Sequence, residues 1–159
     1  MDKNLQIDNL DRQILAILIE DARTPYTEIG KKLFVSGSTV HVRMNKMEEM
    51  GIIKRHQLIV NYKKLGFDVT AFLGIFLTKS SMYDKTMEQL KQVSEIVSLH
   101  YTTGSYSMFA EIVCRDTMHL REVLHDKIQA IEGISRTETL ISLEESINRP
   151  LEMLGNNKL

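Results

Sequence analysis

Eighteen residues, Ser36 to Ile53, constrain this chain more than any other stretch. At about 100° per residue, Val40, Met44 and Met47 fall on one narrow stripe, while Ser38, Val42, Asn45, Lys46 and Glu49 fall opposite. Ser36 can cap the first turn through its hydroxyl, and Gly51 can end the helix in the left-handed conformation. The predicted helix buries a Val/Met stripe and turns hydroxyls, an amide and cations outward. Short polar side chains near its N-terminus, with cations further along, suit the major groove of DNA. An ordinary surface helix is the plain alternative, and the flanking sequence decides between them.

Upstream, Asp8 is a plausible N-cap, and Leu10, Ile14, Ile17 and Leu18 recur at helical spacing to about Ala22. Thr24-Pro25 reads as N-cap and first residue of a second helix whose stripe is Tyr26, Ile29 and Leu33. Phe34-Val35-Ser36 alone separates it from the third, the layout of a helix-turn-helix. After Gly51, Ile52 to Val60 turns basic and β-branched, which predicts a strand and with it a winged helix over residues 1–60.

Residues 61–67 read as a linker, and a second domain follows over 68–150. Apolar runs at Val69–Lys79, Ile96–Thr103, Met108–Cys114 and Ile134–Leu143 predict strands. Helical spacing joins Tyr83, Met87 and Leu90, and again Leu120 to Ile131, the latter capped by Asp116 or Thr117 and stopped by Gly133. The order β-α-β-β-α-β is that of a ferredoxin-like sheet, so the expected class is α+β. Two helices cover one face; the other should carry much of Leu73, Phe76, Val97, Leu99, Phe109 and Leu140 or their neighbours. An apolar face of that extent calls for a second subunit, so a homodimer is expected.

Composition narrows the setting. No apolar run reaches the roughly 18 residues of a membrane span. Cys114 is the lone cysteine, so an internal disulfide is excluded and a reducing cytoplasm is expected. Met1-Asp2-Lys3-Asn4 leads into an acidic helix rather than an apolar signal region. The net charge of −1 hides a concentration: residues 31–55 hold six cations against Glu48 and Glu49. A patch so small implies modest affinity per protomer, which several heads acting together would raise.

With both halves in place, the chain resembles the Lrp/AsnC (feast/famine) family of transcription regulators, closest to the AsnC type. The likeness runs through Ile7-Asp8-Asn9-Leu10-Asp11, Ala22 to Gly30, Ser36-x-Ser38-Thr39-Val40-x-x-Arg43-Met44 to Ile53, Tyr101 to Ser107, and Thr137-Glu138-Thr139. It implies binding to double-stranded DNA, a small amino acid as effector with asparagine the first guess, and homodimers assembling to an octamer. Two positions depart from the usual pattern: Gly37 where proline is common, and Ser107 where many members carry aspartate. The AsnC type is similar in having serine there.

The candidate DNA residues follow. Ser36, Ser38, Thr39, His41, Val42 and Asn45 sit on the recognition helix, Val42 being able to meet a thymine methyl. Lys31, Lys32, Lys46, Lys54 and Arg55 suit phosphate. Arg43, about 60° off the core stripe, can contact DNA or brace the domain through an ion pair. For an amino acid, Tyr101, Thr102, Thr103, Gly104, Ser105, Tyr106 and Ser107 gather hydroxyls around a glycine that admits a ligand to the backbone, with Thr137 and Thr139 contributing from a strand of the same or an adjacent subunit. The plain reading is a solvated hairpin turn. No cofactor or metal is expected: His119 and His125, six apart, lie on different helix faces, and Cys114 reads as core. No nucleophile or phosphate-loop motif supports an enzyme. A ligand-independent protein that coats DNA is the other alternative to an amino-acid-responsive regulator.

Overall fold

A computed structural model describes residues 7–151; the Met1–Asn4 lead-in lies outside the described residues. They divide into two compact units, residues 7–59 with 147–151, and Val60–Ser146.

The first unit is three helices. Helix α1 (Asn9–Glu20) opens with a reciprocal capping box, Asp8 accepting from the Asp11 N–H at 2.9 Å and Asp11 from the Asp8 N–H at 3.1 Å. Helix α2 (Tyr26–Lys32) begins one residue later than the sequence predicts. Thr24 does not cap it: its hydroxyl donates to the Asp21 carbonyl at 2.9 Å, and the Pro25 carbonyl takes the first helical N–H groups. Residues before proline are pushed out of helical geometry, so the start moves past Pro25. Helix α3 (Gly37–Glu49) is delimited as its sequence predicts, Ser36 Oγ accepting from the Thr39 N–H at 3.0 Å. At its end Gly51 (φ 70°) donates to Glu48 O and Ile52 to Met47 O, both at 2.9 Å. That double closure needs a left-handed residue between its two donors, which glycine supplies without strain. Ile14, Ile29, Val40, Met44 and Met47 are almost wholly buried together, each burial stabilising the unit by roughly 1.5–3 kcal/mol. The tight α2–α3 turn requires Gly30, where a Cβ would lie 2.6 Å from the Val35 carbonyl oxygen.

The expected wing is absent. Residues 52–60 form no strand, and no other strand lies in this unit among the described residues. Ile52 and Ile53 spend their N–H groups on the Met47 carbonyl and their side chains on the helical core, and from Lys54 the chain is exposed. A β-branched run without a ladder partner has nothing to pair with. The unit is a plain helix-turn-helix.

In the second unit the stretch read as a linker forms a short 3-10 turn, Lys63–Leu65, with Tyr62 edge-on to Phe67. Strands β1 (Val69–Leu77), β2 (Ile96–Tyr101), β3 (Met108–Cys114) and β4 (Ile134–Ile141) make one antiparallel sheet in the order β2-β3-β1-β4. Helices α4 (Tyr83–Leu90) and α5 (Thr117–Glu122) supply the intervening crossovers, giving the βαββαβ order of a ferredoxin-like fold. The second predicted helix is in fact α5 followed by a π-helical turn, Val123–Ile128; Asp116 caps it, accepting from the His119 N–H at 2.7 Å.

Ala71, Leu73 and Ile75 of β1 and Met108, Ala110 and Ile112 of β3 share a core with Leu90, Leu120, Val123 and Ile128. Leu73 and Leu99 therefore lie on the helix side, contrary to their expected place on the open face. Strand β1 is apolar at both parities, so alternation could not choose between them. The open face carries Phe72, Gly74 and Phe76 beside Phe109, with Phe72 and Phe109 stacked 6.0 Å apart.

Candidate functional site

The outer surface of α3 presents Ser38, His41, Val42, Asn45 and Lys46 to solvent, Val42 at 64% exposure, with Thr39 half-buried. The His41 ring lies 5.9 Å from that of Tyr26, so α2 orients it. Lys31, Lys54 and Arg55 are exposed, and Lys32 pairs with Glu28 at 3.0 Å one turn earlier. Two members of the sequence-derived set are engaged within the fold. Ser36 is the N-cap, its Oγ also 2.8 Å from both Ser38 Oγ and Thr39 Oγ1. Arg43 reaches back to α1, bonding Asp8 and, at 3.1 Å, Asp11 Oδ1, whose side chain is 1% exposed. Hydrogen bonds from Arg43 and then from the Asp11 backbone hold the Asp8 carboxyl below its usual range, and Asp8 and Asp11 together raise the guanidinium. Arg43 is a brace: a buried carboxylate requires a counter-charge, and among the described residues Arg43 supplies it.

The loop between β2 and β3 folds over the open sheet face. Gly104 adopts φ 102°, and Thr103, Gly104 and Ser105 are exposed. Thr102 donates its hydroxyl to Tyr106 O at 2.8 Å, and the Ser107 N–H donates to Ile75 O at 2.9 Å, pinning the loop to β1. Ser107 Oγ accepts from the Leu77 N–H at 3.3 Å, so its hydroxyl is part of that anchor. The Tyr106 ring lies flat on Gly74, where a Cβ would stand 2.4 Å from ring carbons. Its hydroxyl donates to Glu138 Oε2 at 2.9 Å, and that charge-assisted bond, ahead of Glu138's negative charge, raises the Tyr106 pKa. Arg136 completes the cluster, 3.0 Å from Glu138 Oε1 and 3.8 Å above the Phe76 ring, which meets Tyr106 edge-on.

Sequence reasoning placed Phe76 on the open face but gave no site role to it or to Gly74, Arg136 and Glu138. A glycine inside an apolar strand marks a close approach, and an Arg-x-Glu pair in a strand shares one face; together they were the available signal. Thr137 and Thr139, by contrast, occupy the opposite parity. They pair with Ile75 and Leu73 on the helix side, and Thr137 Oγ1 accepts from Gln129 at 3.1 Å. Tyr101 is also on that side, its ring 4.4 Å from Tyr83, but β2 and β4 are opposite edges, three strand spacings or about 14 Å apart. One chain does not bring Tyr101 and Thr137 to a common ligand.

The remaining reactive groups are structural. His119 Nδ1 accepts the Arg115 N–H at 3.2 Å, which leaves Nε2 to donate to Glu95 Oε1 at 3.2 Å, and Lys127 reaches the same oxygen at 2.6 Å. Burial pushes the Glu95 carboxyl up, but the Lys127, backbone and His119 hydrogen bonds outweigh it and hold the pKa at about 2. Cys114 is fully buried, and burial pushes its thiol up to about 11. No cluster of three or more His, Cys, Asp or Glu among the described residues could hold a metal ion, and no described helix is long and apolar enough to cross a membrane.

A capped helix-turn-helix with a polar outer face, joined to a βαββαβ unit, defines a class: DNA-binding transcriptional regulators with a ligand-binding domain. Residues 7–48 match the AsnC-type helix-turn-helix domain and residues 70–151 the Lrp/AsnC ligand binding domain. The chain belongs to the Lrp/AsnC family, whose named members here are regulators rather than enzymes. It is 44% identical to the regulatory protein AsnC of Haemophilus influenzae, over 92% of this chain and 97% of that one. Likeness to AsnC of Escherichia coli K12 is 43%, over 94% and 99%. The solved structure of Escherichia coli AsnC superposes with a TM-score of 0.88 at 44% identity, covering 92% of this chain and 99% of that one. A Neisseria meningitidis transcriptional regulator solved with L-Met shares the fold at TM-score 0.85 and 17% identity, covering 91% and 94%.

Proposed function

We propose that this regulator reads its operator through the outer face of α3 and responds to a small amino acid taken up at the Thr102–Ser107 loop. Ser38, Thr39, His41, Val42 and Asn45 face base edges, while Lys31, Lys32, Lys46, Lys54 and Arg55 meet phosphate. The observation that carries the reading is the division of α3: every apolar side chain except Val42 is turned inward, and the exposed side is hydroxyl, imidazole, amide and ammonium until Glu48 and Glu49 in the last turn.

In the loop, Tyr106 locked between Gly74 and Glu138 fixes the frame, while Thr103, Gly104 and Ser105 leave backbone and hydroxyls open to a ligand. Glu138, held beside the loop, can compensate for the carboxylate lacking at Ser107 by pairing an ammonium group. Asparagine is the first effector to try, on the AsnC-type likeness; the L-Met bound by the Neisseria meningitidis regulator makes methionine the second. The exposed Leu140, with the aromatic cluster, supplies a face for a homodimer, which assembles further to an octamer in the cytoplasm. Residues on opposite sheet edges, such as Tyr101 and Thr137, then share a ligand only across subunits. Effector binding between subunits shifts the balance of assemblies and so the spacing of the DNA-binding heads. Sedimentation of the full chain with and without asparagine and methionine tests this. The expected result is a ligand-dependent change in assembly; an unchanged distribution with unchanged DNA affinity favours the ligand-independent DNA-coating protein instead.

A further inference from the structure

Among the described residues, Phe34 is the sole non-glycine with positive φ, at 57°, and its side chain is 97% exposed. The left-handed region strains a residue of this size, and here no burial offsets the strain. Leu33 and Val35 on either side pack into the helical core while the ring between them stands in solvent. Glycine adopts this backbone freely, so folding alone favours glycine at this position.

The surroundings indicate what favours a phenyl ring. From Ile29 to Met47 the chain contains no Asp or Glu and holds Lys31, Lys32, Arg43 and Lys46. Two residues beyond Phe34, the Ser36, Ser38 and Thr39 hydroxyls open α3. Lys32 is paired with Glu28 and Arg43 with Asp8 and Asp11, which leaves Lys31 and Lys46 as the cations on either side of the ring in sequence; with the solvated ring they complement a polyanion that also offers apolar surface. Duplex DNA does so at its groove edge, where phosphates stand beside deoxyribose and thymine methyl groups.

We propose that Phe34 is a DNA contact, its ring packing on deoxyribose and thymine-methyl surface beside the N-terminus of α3, with the left-handed backbone retained to hold it there. The proposal rests on the DNA-binding reading of α3. In the complex, burial of the ring offsets the strain that the free protein carries.

The test compares full-length wild type with Phe34→Gly, Phe34→Ala and Phe34→Tyr. Each is measured for melting temperature and for affinity toward a duplex that the wild type selects from a random-sequence pool. Phe34→Gly should melt about 2–6 °C higher yet bind roughly tenfold more weakly. Phe34→Ala should lose the same affinity without melting higher, and Phe34→Tyr should bind like the wild type. The dependence of affinity on salt should not change in any variant, because the ring neutralises no phosphate. Undiminished binding by Phe34→Gly overturns the proposal. So does weaker binding that follows a change in oligomeric state, which assigns the ring to a contact between copies. Failure of the wild type to select any duplex refutes the DNA reading of α3 and this proposal with it.

Discussion

Replacing Arg43 by alanine separates a brace from a phosphate contact. In the structure its guanidinium joins α3 to the start of α1 through Asp8 and Asp11. After the substitution Asp11, 1% exposed, keeps the Asp8 N–H at 3.1 Å and loses its counter-charge. A hydrogen bond to a charged group is worth about 1.5–3 kcal/mol, and a fully uncompensated buried charge costs about 3–5 kcal/mol. Arg43 is itself 29% exposed, so water enters the vacated space and the lower range applies. We expect a loss of about 2 kcal/mol, seen as a fall of roughly 8–16 °C in the melting of the helix-turn-helix unit. Adding Asp11→Asn should recover part of it, because a neutral amide needs no counter-charge. DNA affinity, measured where both proteins are folded, should keep the wild-type salt slope, whereas loss of a phosphate contact lowers that slope by about 0.9. An unchanged melting temperature together with a shallower salt slope would refute the brace.

Three further outcomes test the second unit. Gly74→Ala forces the Tyr106 ring off the sheet, so the amino-acid response should disappear while calorimetric stability falls by about 1–2 kcal/mol; a retained response separates Tyr106 from ligand binding. Glu95, with its pKa held at about 2 against 4.5, stabilises the fold by up to roughly 3 kcal/mol. Because its folded pKa is depressed, that contribution is present above about pH 4.5 and is lost as pH falls toward 2. Urea unfolding of Glu95→Gln should therefore converge with the wild type on acidification, and parallel curves contradict the assignment. Thr86 Oγ1 is buried with no hydrogen-bond partner among the described residues, so Thr86→Val should raise stability by about 1 kcal/mol; a lower denaturation midpoint points to an unrecognised partner.

Local chemistry was legible in the sequence where it acts over a few residues. Ser36 and Gly51 delimit α3 because a hydroxyl cap and a left-handed closure depend on neighbours three or four positions away. Val40, Met44 and Met47 announce the buried stripe for the same reason. Arg43 shows the limit: its angle on the wheel admits two roles, and its partners lie 32 and 35 residues away. The absent wing shows another, since Ile52 and Ile53 look equally apolar whether they enter a strand or seal a helix end. In β4 every position from Ser135 to Thr139 is polar, so apolar alternation does not say whether Thr137 and Thr139 or Arg136 and Glu138 face the loop. The Tyr106–Gly74 contact decides it, and that contact joins a loop to a strand distant in sequence.

In the proposed function one chain couples an amino acid at the Thr102–Ser107 loop to DNA at α3. Coupling between two equilibria is reciprocal. The direct measurement is a closed cycle on the full chain: DNA affinity with and without saturating asparagine, and asparagine affinity with and without the selected duplex. The two ratios should agree and differ from one by about 5-fold or more. Measurable asparagine binding with both ratios equal to one would contradict it.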